Sequence, residues 1–264
     1  MPKADIGDGE IYYEKVGSGP PLMLVPGLSG IGVAGWRPQI EAFAPYFTVI
    51  THDHRGCGQS SHSKITYSVE QMAADAVKLM DALGIKQADY VGHSTGGAMG
   101  QIIAAKHPDR IGRLVLSATW RVADPFFKLL FKVRKRSLLD SGVEAYAEAS
   151  SLALYPATYI RDHAEELERE RKAGLANASA PEITASRIDA ICAFDGTPYL
   201  KSIRSPALIV VAEDDTVTPR YLSDDLKEHL REAEYEILPR GGHLVPRAEP
   251  VAYNSVVLPF LRGE

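Results

Sequence analysis

The sequence predicts an α/β protein: a mostly parallel central sheet flanked by helices and interrupted once by a helical insertion. Three observations carry that prediction. Apolar runs such as Leu22-Met23-Leu24-Val25 and Ala207-Leu208-Ile209-Val210-Val211 are continuous rather than alternating, as in strands buried on both faces. They alternate with helical stretches of about ten to fifteen residues, the spacing of crossover units between parallel strands. From about Arg121 to Tyr199 the alternation stops and only helical patterns follow. The expected division is a core of residues 1–120 and 200–264, with residues 121–199 as a helical cap.

Each element follows from local chemistry. Ile11 to Val16 is β-rich and follows a Gly7-Asp8-Gly9 turn, which suggests an opening hairpin. The strand ending at Val25 runs into a loop, Pro26-Gly27-Leu28-Ser29-Gly30, that cannot continue as strand. Phe47 to Thr51 is another buried strand, emptying into His52 to Ser60. Ser68 and Gln71 have the spacing of a capping box. Behind them Val69, Met72, Ala73, Ala76, Val77, Met80 and Leu83 share one helical face, and Gly84 stops the helix. Ala88 to Val91 leads through Gly92-His93-Ser94-Thr95-Gly96 into a small-residue helix, Ala98 to Lys106, and Ile111 to Ser117 is the next strand. Within the cap, Phe126–Leu139, Val143–Leu152 and Arg161–Lys172 read as helices. The rhythm then resumes with the strand at Ala207–Val211, a helix at Tyr221–Leu230, a strand at Tyr235–Leu238 and a last helix from Glu249-Pro250.

Composition narrows the function. A net charge of -5 gives no electrostatic reason to expect a nucleic-acid partner. Cys57 and Cys192 lie far apart without ligand spacing, which argues against a disulfide framework or a zinc site and fits a reducing cytoplasm. The N-terminus has no apolar signal core, and no run reaches the roughly 18 to 20 apolar residues of a membrane span. The expectation is a soluble cytoplasmic protein acting on a small molecule, without metal, cofactor, nucleic acid or membrane. A homodimer is compatible with it.

The chemistry centres on Ser94. A serine on a sharp strand-to-helix turn has its hydroxyl pushed clear of both elements, and glycines two residues either side permit the turn. Serine is a weak nucleophile that needs a histidine base, itself oriented by a carboxylate. In an open sheet such partners sit on loops beyond strand C-termini. The strand ending at Val211 empties into Glu213-Asp214-Asp215, and the one ending at Leu238 into Gly241-Gly242-His243. His243 is the expected base. Asp215 is the preferred acid, because Thr216 to Pro219 then link it to the next helix, and Asp214 is the runner-up. The strand ending at Ser117 offers no acid before Asp124. The backbone N–H groups of Thr95 and Leu28 are the expected oxyanion donors, with Gly27 leaving room for substrate. His93, at the variable position of the turn, is expected to bury or hydrogen-bond locally.

These motifs carry a resemblance. Pro26-Gly27-Leu28, Asp53-x-Arg55-Gly56-x-Gly58-x-Ser60, Gly92-His93-Ser94-Thr95-Gly96, the Asp215 loop with Thr218-Pro219, and Gly242-His243 resemble the α/β-hydrolase superfamily over nearly the full chain. In that superfamily the order is Ser, then acid, then His. Pro26 is a departure, standing where many members have histidine before the glycine. The segment from Lys132 to Gly142, continuing through Leu154-Tyr155-Pro156-Ala157, resembles the aminoacrylate hydrolases of pyrimidine breakdown. The turn around Ser94 is similar to that of the 3-oxoadipate enol-lactonases. The resemblance implies a cofactor-free serine hydrolase cleaving an ester, lactone or related acyl bond of a small polar metabolite beneath the cap. Competing readings are a C–C hydrolase of ring-fission products, a perhydrolase or haloperoxidase side activity, and a non-catalytic receptor. Dehalogenase and epoxide hydrolase chemistry would need aspartate at position 94. Arg121 is expected to meet a substrate carboxylate, with Trp120 and Tyr155 lining the pocket. The other cap aromatics are expected to pack between helices. Lys132, Arg134, Lys135 and Arg136 read as a solvated basic face, and Glu165 to Lys172 as an exposed helix.

Overall fold

A computed structural model describes residues 2–175 and 178–264. Residues 1, 176 and 177, which fall inside the expected core and cap spans, lie outside the described residues. The strands are β1 (Lys3–Asp5), β2 (Glu10–Val16), β3 (Pro21–Val25), β4 (Thr48–His52), β5 (Ala88–His93), β6 (Ile111–Ser117), β7 (Ala207–Ala212) and β8 (Glu234–Leu238). They form one sheet in the order β1-β2-β4-β3-β5-β6-β7-β8, antiparallel from β1 to β4 and parallel from β4 to β8. The helices are α1 (Gly32–Phe43), α2 (Val69–Ala82) and α3 (Thr95–Lys106), then α4 (Pro125–Leu154), α5 (Ala157–Asp162), α6 (Ala164–Leu175), α7 (Pro181–Ala193) and α8 (Thr197–Leu200). The last three are α9 (Arg220–His229), α10 (Val245–Ala248) and α11 (Pro250–Arg262).

Along β3 the side chains alternate between two cores, because successive residues of a strand face opposite ways. Leu22 and Leu24 join Trp36, Phe43, Tyr253 and Val257 from α1 and α11 on one face. Met23 joins Met72, Met80, Met99 and Ile103 from α2 and α3 on the other. Both faces are covered, which is why the parallel strands read as unbroken apolar runs.

The expected helix α2 forms with a cap that differs in part. Ser68 Oγ accepts from Gln71 N at 3.0 Å, but the Gln71 side chain turns to Asp75 instead of reaching back to Ser68. Only half of the capping box is made. At the other end Ile85 N donates to Met80 O (2.9 Å) and Gly84 N to Asp81 O (3.0 Å), a complete Schellman closure around Gly84 at φ 68°. The Asp53-x-Arg55 motif serves as scaffold. Asp53 Oδ1 accepts from Gly32 N at 2.9 Å, and Arg55 makes a bidentate pair with buried Asp75, both bonds at 2.8 Å.

Helices α4 to α8 all lie between β6 and β7, and two contacts join the ends of this insertion. Val122 bridges to Asp195, and Gly196 N donates to Arg121 O at 2.7 Å. The expected helices Phe126–Leu139 and Val143–Leu152 are the two arms of α4, which breaks direction at Gly142 (φ 90°, ψ 178°). The third expected helix starts later than Arg161, since that residue belongs to α5, which ends at Asp162, and α6 begins at Ala164. No residue of α6 is buried, matching its charged sequence. Helix α7 was not anticipated, and neither was α1, which contains Gly32, Gly35 and Pro38. Among the described residues, no helix is long and apolar enough to cross a membrane.

Candidate active site

The strand order reverses about β3: the chain proceeds outward to β4 on one side and to β5 on the other. A crevice at the carboxyl ends of strands is expected at such a switch. The loops leaving β3 and β5 supply Gly27, Leu28 and Ser94 to one cavity of about 390 Å³.

Ser94 sits between β5 and α3 with φ 54° and ψ −116°, a left-handed position that costs a non-glycine residue about 1–3 kcal/mol. The turn is held by Ser94 N donating to Ser117 O (2.8 Å) and Thr119 Oγ1 donating to Ser94 O (2.8 Å). The flanking glycines answer a steric demand. A Cβ on Gly92 would lie 2.3 Å from Gly96 O, and one on Gly96 would lie 2.3 Å from Val25 O. Strand and helix are thus too close for any side chain at either position. A Cβ on Gly27 would come within 3.1 Å of Ser94 Cβ, so this loop too presses against the serine.

Asp215 and His243 meet from adjacent strand exits. Asp215 Oδ2 lies 2.9 Å from His243 Nδ1, with both side chains buried. The other carboxylate oxygen accepts from the N–H groups of Val217 (2.8 Å) and Thr218 (2.9 Å), and Thr218 Oγ1 donates to Oδ2 at 2.9 Å. Asp214 serves differently, accepting from Gly242 N at 2.8 Å, so it pins the histidine loop without touching the ring. With Nδ1 occupied, Nε2 is the nitrogen left for chemistry. Ser94 and His243 line the same cavity, and no hydrogen bond joins the hydroxyl to the ring. Catalytic contacts of this kind commonly tighten only around substrate.

His93 also borders the cavity, its ring 4.9 Å from that of His243 and its Nδ1 3.3 Å from Ser117 Oγ. Burial, then the neighbouring His243, hold its pKa well below the usual range, so it is neutral. Of the two expected oxyanion donors, Leu28 lines the cavity and Thr95 directly follows Ser94. Thr95 is the first residue of α3, whose opening N–H groups have no intrahelical partner. The Leu28 loop is fastened by Gly30 N donating to Gly27 O (3.0 Å) and by Arg187 Nη2 donating to Leu28 O (3.0 Å).

Two expected substrate contacts are corrected. Arg121 does not line the cavity; it makes a bidentate pair with Asp225, both bonds at 2.8 Å, and a third bond to Thr197 Oγ1 at 2.6 Å. Trp120 is fully buried against Phe127 (ring centroids 4.5 Å) and Phe194 (6.2 Å). The reason is that burial draws Trp120 into this apolar cluster, while the Asp225 carboxylate on α9 holds Arg121. Gly27 and Tyr155 do line the cavity, Tyr155 stacked on Tyr159 at 4.9 Å. Of the other cap aromatics, Phe131 and Tyr146 also reach it.

Sequence reasoning missed Arg134 and Arg187, both buried on the cavity wall. Lys132 and Arg136 do face solvent as expected, but Arg134 turns inward. A signal was available: Phe127, Phe131, Arg134 and Leu138 recur at helical spacing, so Arg134 shares the apolar stripe of α4.

The comparisons with known proteins agree with this architecture. A family model described as "alpha/beta hydrolase fold" matches residues 20–246. A protein of Azorhizobium caulinodans named "Putative carbamate hydrolase RutD" is 38% identical over 260 residues, covering 98% of each chain. One of the same name from Pantoea ananatis is 33% identical, over 96% of this chain and 94% of that one. Among solved structures, the enol-lactonase from Burkholderia xenovorans LB400 superposes with a TM-score of 0.90 at 29% identity, covering 99% of this chain and 100% of that one. A thermophilic esterase from Thermogutta terrifontis, with malate bound, gives 0.85 at 27% identity, over 97% and 94%. On the family match and these near full-length likenesses, the chain belongs to the α/β-hydrolase fold family and is a hydrolase.

Proposed function

We propose that this chain is a serine hydrolase that cleaves an ester, lactone or carbamate-type acyl bond of a small metabolite through an acyl-enzyme. The observation that carries the reading is the 2.9 Å contact between Asp215 and His243 on the wall of the cavity that Ser94 enters from its strained turn. Ser94 Oγ attacks the acyl carbon while His243 Nε2 takes its proton, and the Asp215 carboxylate steadies the imidazolium. The N–H groups of Thr95 and Leu28 receive the oxyanion, each such donor contributing about 10²–10³ in kcat. Collapse of the tetrahedral intermediate expels the leaving group, which takes the proton from His243. Water then attacks the acyl-serine with His243 as base, and the acid product departs with Ser94 restored. These steps need no group beyond those of the chain and water. Residues 121–199 serve as the lid, closing the cavity above Ser94.

The bond classes are supported by relatives named for carbamate hydrolysis and a structural neighbour that is an enol-lactonase. The test is a panel of aryl esters, enol-lactones and carbamates offered to the wild type and to Ser94→Ala. Multiple turnovers on at least one class, reduced to background in the variant, are expected. Turnover retained by Ser94→Ala, or its absence from every class, would overturn the reading.

A further inference from the structure

The cavity above Ser94 holds a buried cation with no anion. Arg134 is 6% exposed, and its Nη2 donates to two neutral oxygens, Ser150 Oγ at 2.8 Å and Tyr146 OH at 3.3 Å. Its Nε is enclosed without a partner, and among the described residues the guanidinium bonds only to these hydroxyls and to no carboxylate. The group is fixed between aromatic faces, its central carbon 4.8 Å from the Phe131 ring centroid and 5.2 Å from that of Tyr146.

The other charges around the cavity are accounted for. Arg171 is held by Glu144, Glu148 and Glu168, and Glu170 is held by Arg247. Among the described residues Arg187 is also buried without a carboxylate, but its donors are committed to Arg55 O, Leu28 O and His54 Nδ1, each at 3.0 Å. Arg134 therefore stands apart. A guanidinium cannot relieve its burial by losing a proton, and buried charges are ordinarily paired. What satisfies a planar fork in a small cavity is a carboxylate, which accepts two parallel hydrogen bonds.

We propose that Arg134 binds a carboxylate of the substrate, so that the substrate is a small carboxylic acid whose scissile acyl bond lies elsewhere in the molecule, at Ser94. The proposal rests on the reading of Ser94 as nucleophile, since it places both groups in one ligand. Arg134 is then a specificity residue contributed by the lid, in the role that sequence reasoning gave to Arg121.

The experiment compares 4-nitrophenyl hemisuccinate with 4-nitrophenyl butyrate, which differ by a carboxylate in place of a methyl group. Wild type should favour the hemisuccinate in kcat/KM by about tenfold or more, and Arg134→Gln should lower that ratio about thirtyfold. Arg134→Lys, which keeps the charge and loses the fork, should lower it about three- to tenfold and serves if the glutamine variant does not fold. An unchanged ratio, or equal losses on both esters, would overturn the proposal. Calorimetric binding of succinate separates it from the serine reading. If Ser94→Ala binds succinate in an Arg134-dependent way while neither ester is turned over by wild type, the carboxylate site stands and the nucleophile assignment falls. If Ser94 hydrolyses both esters and neither the ratio nor succinate binding depends on Arg134, the reverse holds.

Discussion

The sheet and the helical insertion furnish opposite walls of one chemical problem by different physical means. On the sheet side the proposed reacting groups leave strand ends, and backbone geometry aims them. Ser94 is placed by a left-handed turn, and the Asp215 carboxylate by the N–H groups of Val217 and Thr218. In the insertion, the residues that reach the cavity are chosen by which face of a helix is buried, and Arg134 is held by two hydroxyls and two rings. The burial differs accordingly: β7 is buried throughout, whereas α6 buries nothing. A rigid half can carry chemistry that tolerates little misplacement, while a thinly packed half can change its side chains, and with them the substrate, at little cost to the fold.

That contrast can be broken first at the acid. Asp215→Asn should lower kcat by about 10⁴, because the histidine loses its orienting anion and tautomer. Asp214→Asn, which disturbs only a loop contact, should stay within about tenfold of wild type. Comparable losses in the two variants would return the acid role to both. By contrast, a lid change such as Arg134→Gln should act on the ratio between substrates.

A smaller effect separates the halves by acid. Burial pushes the His52 pKa down to about 4 and holds those of His54 and His93 well below the usual 6.5, with Arg187 and His243 respectively as added causes. The residues 121–199 contain one histidine, His163, which is only partly buried. Unfolded histidines gain protons below about pH 6.5 that the folded core refuses, so this stability is whole above that pH and is lost as the pH falls towards 4. From His52 alone the loss should reach about 2 kcal/mol by pH 5. Urea midpoints measured at pH 7.5, 6 and 5 should fall in that order, and a constant midpoint would contradict the assignment of these rings as buried and neutral.

How far the molecule could be read from its sequence follows the same division. The glycines at 92 and 96 and the strand exits are local features, and the structure has them where the sequence places them. The choice of Asp215 over Asp214 rested on loop length, and the structure gives the two carboxylates different partners. Helix α1 was hidden because Gly32, Gly35 and Pro38 oppose helix locally. Trp36 and Phe43 nonetheless pack it onto the sheet, and Gln39 Nε2 ties it to α10 by donating to Pro246 O at 2.6 Å. The two arginines differ from their sequence surroundings for a related reason. Arg121 follows a strand exit, but its fate was set by Asp225, a residue 104 positions away. Arg134 stands in a basic run, and only the helical face it shares with Phe131 and Leu138 sets it apart from its solvated neighbours.

The central claim is that Ser94 is a nucleophile activated by His243. Treatment of the native protein with a fluorophosphonate, followed by mass mapping of the adduct, tests it most directly. The account predicts a single phosphonylated residue, Ser94, and loss of labelling in a folded His243→Ala variant. Robust labelling of Ser94→Ala, or full labelling at Ser94 without His243, would contradict it.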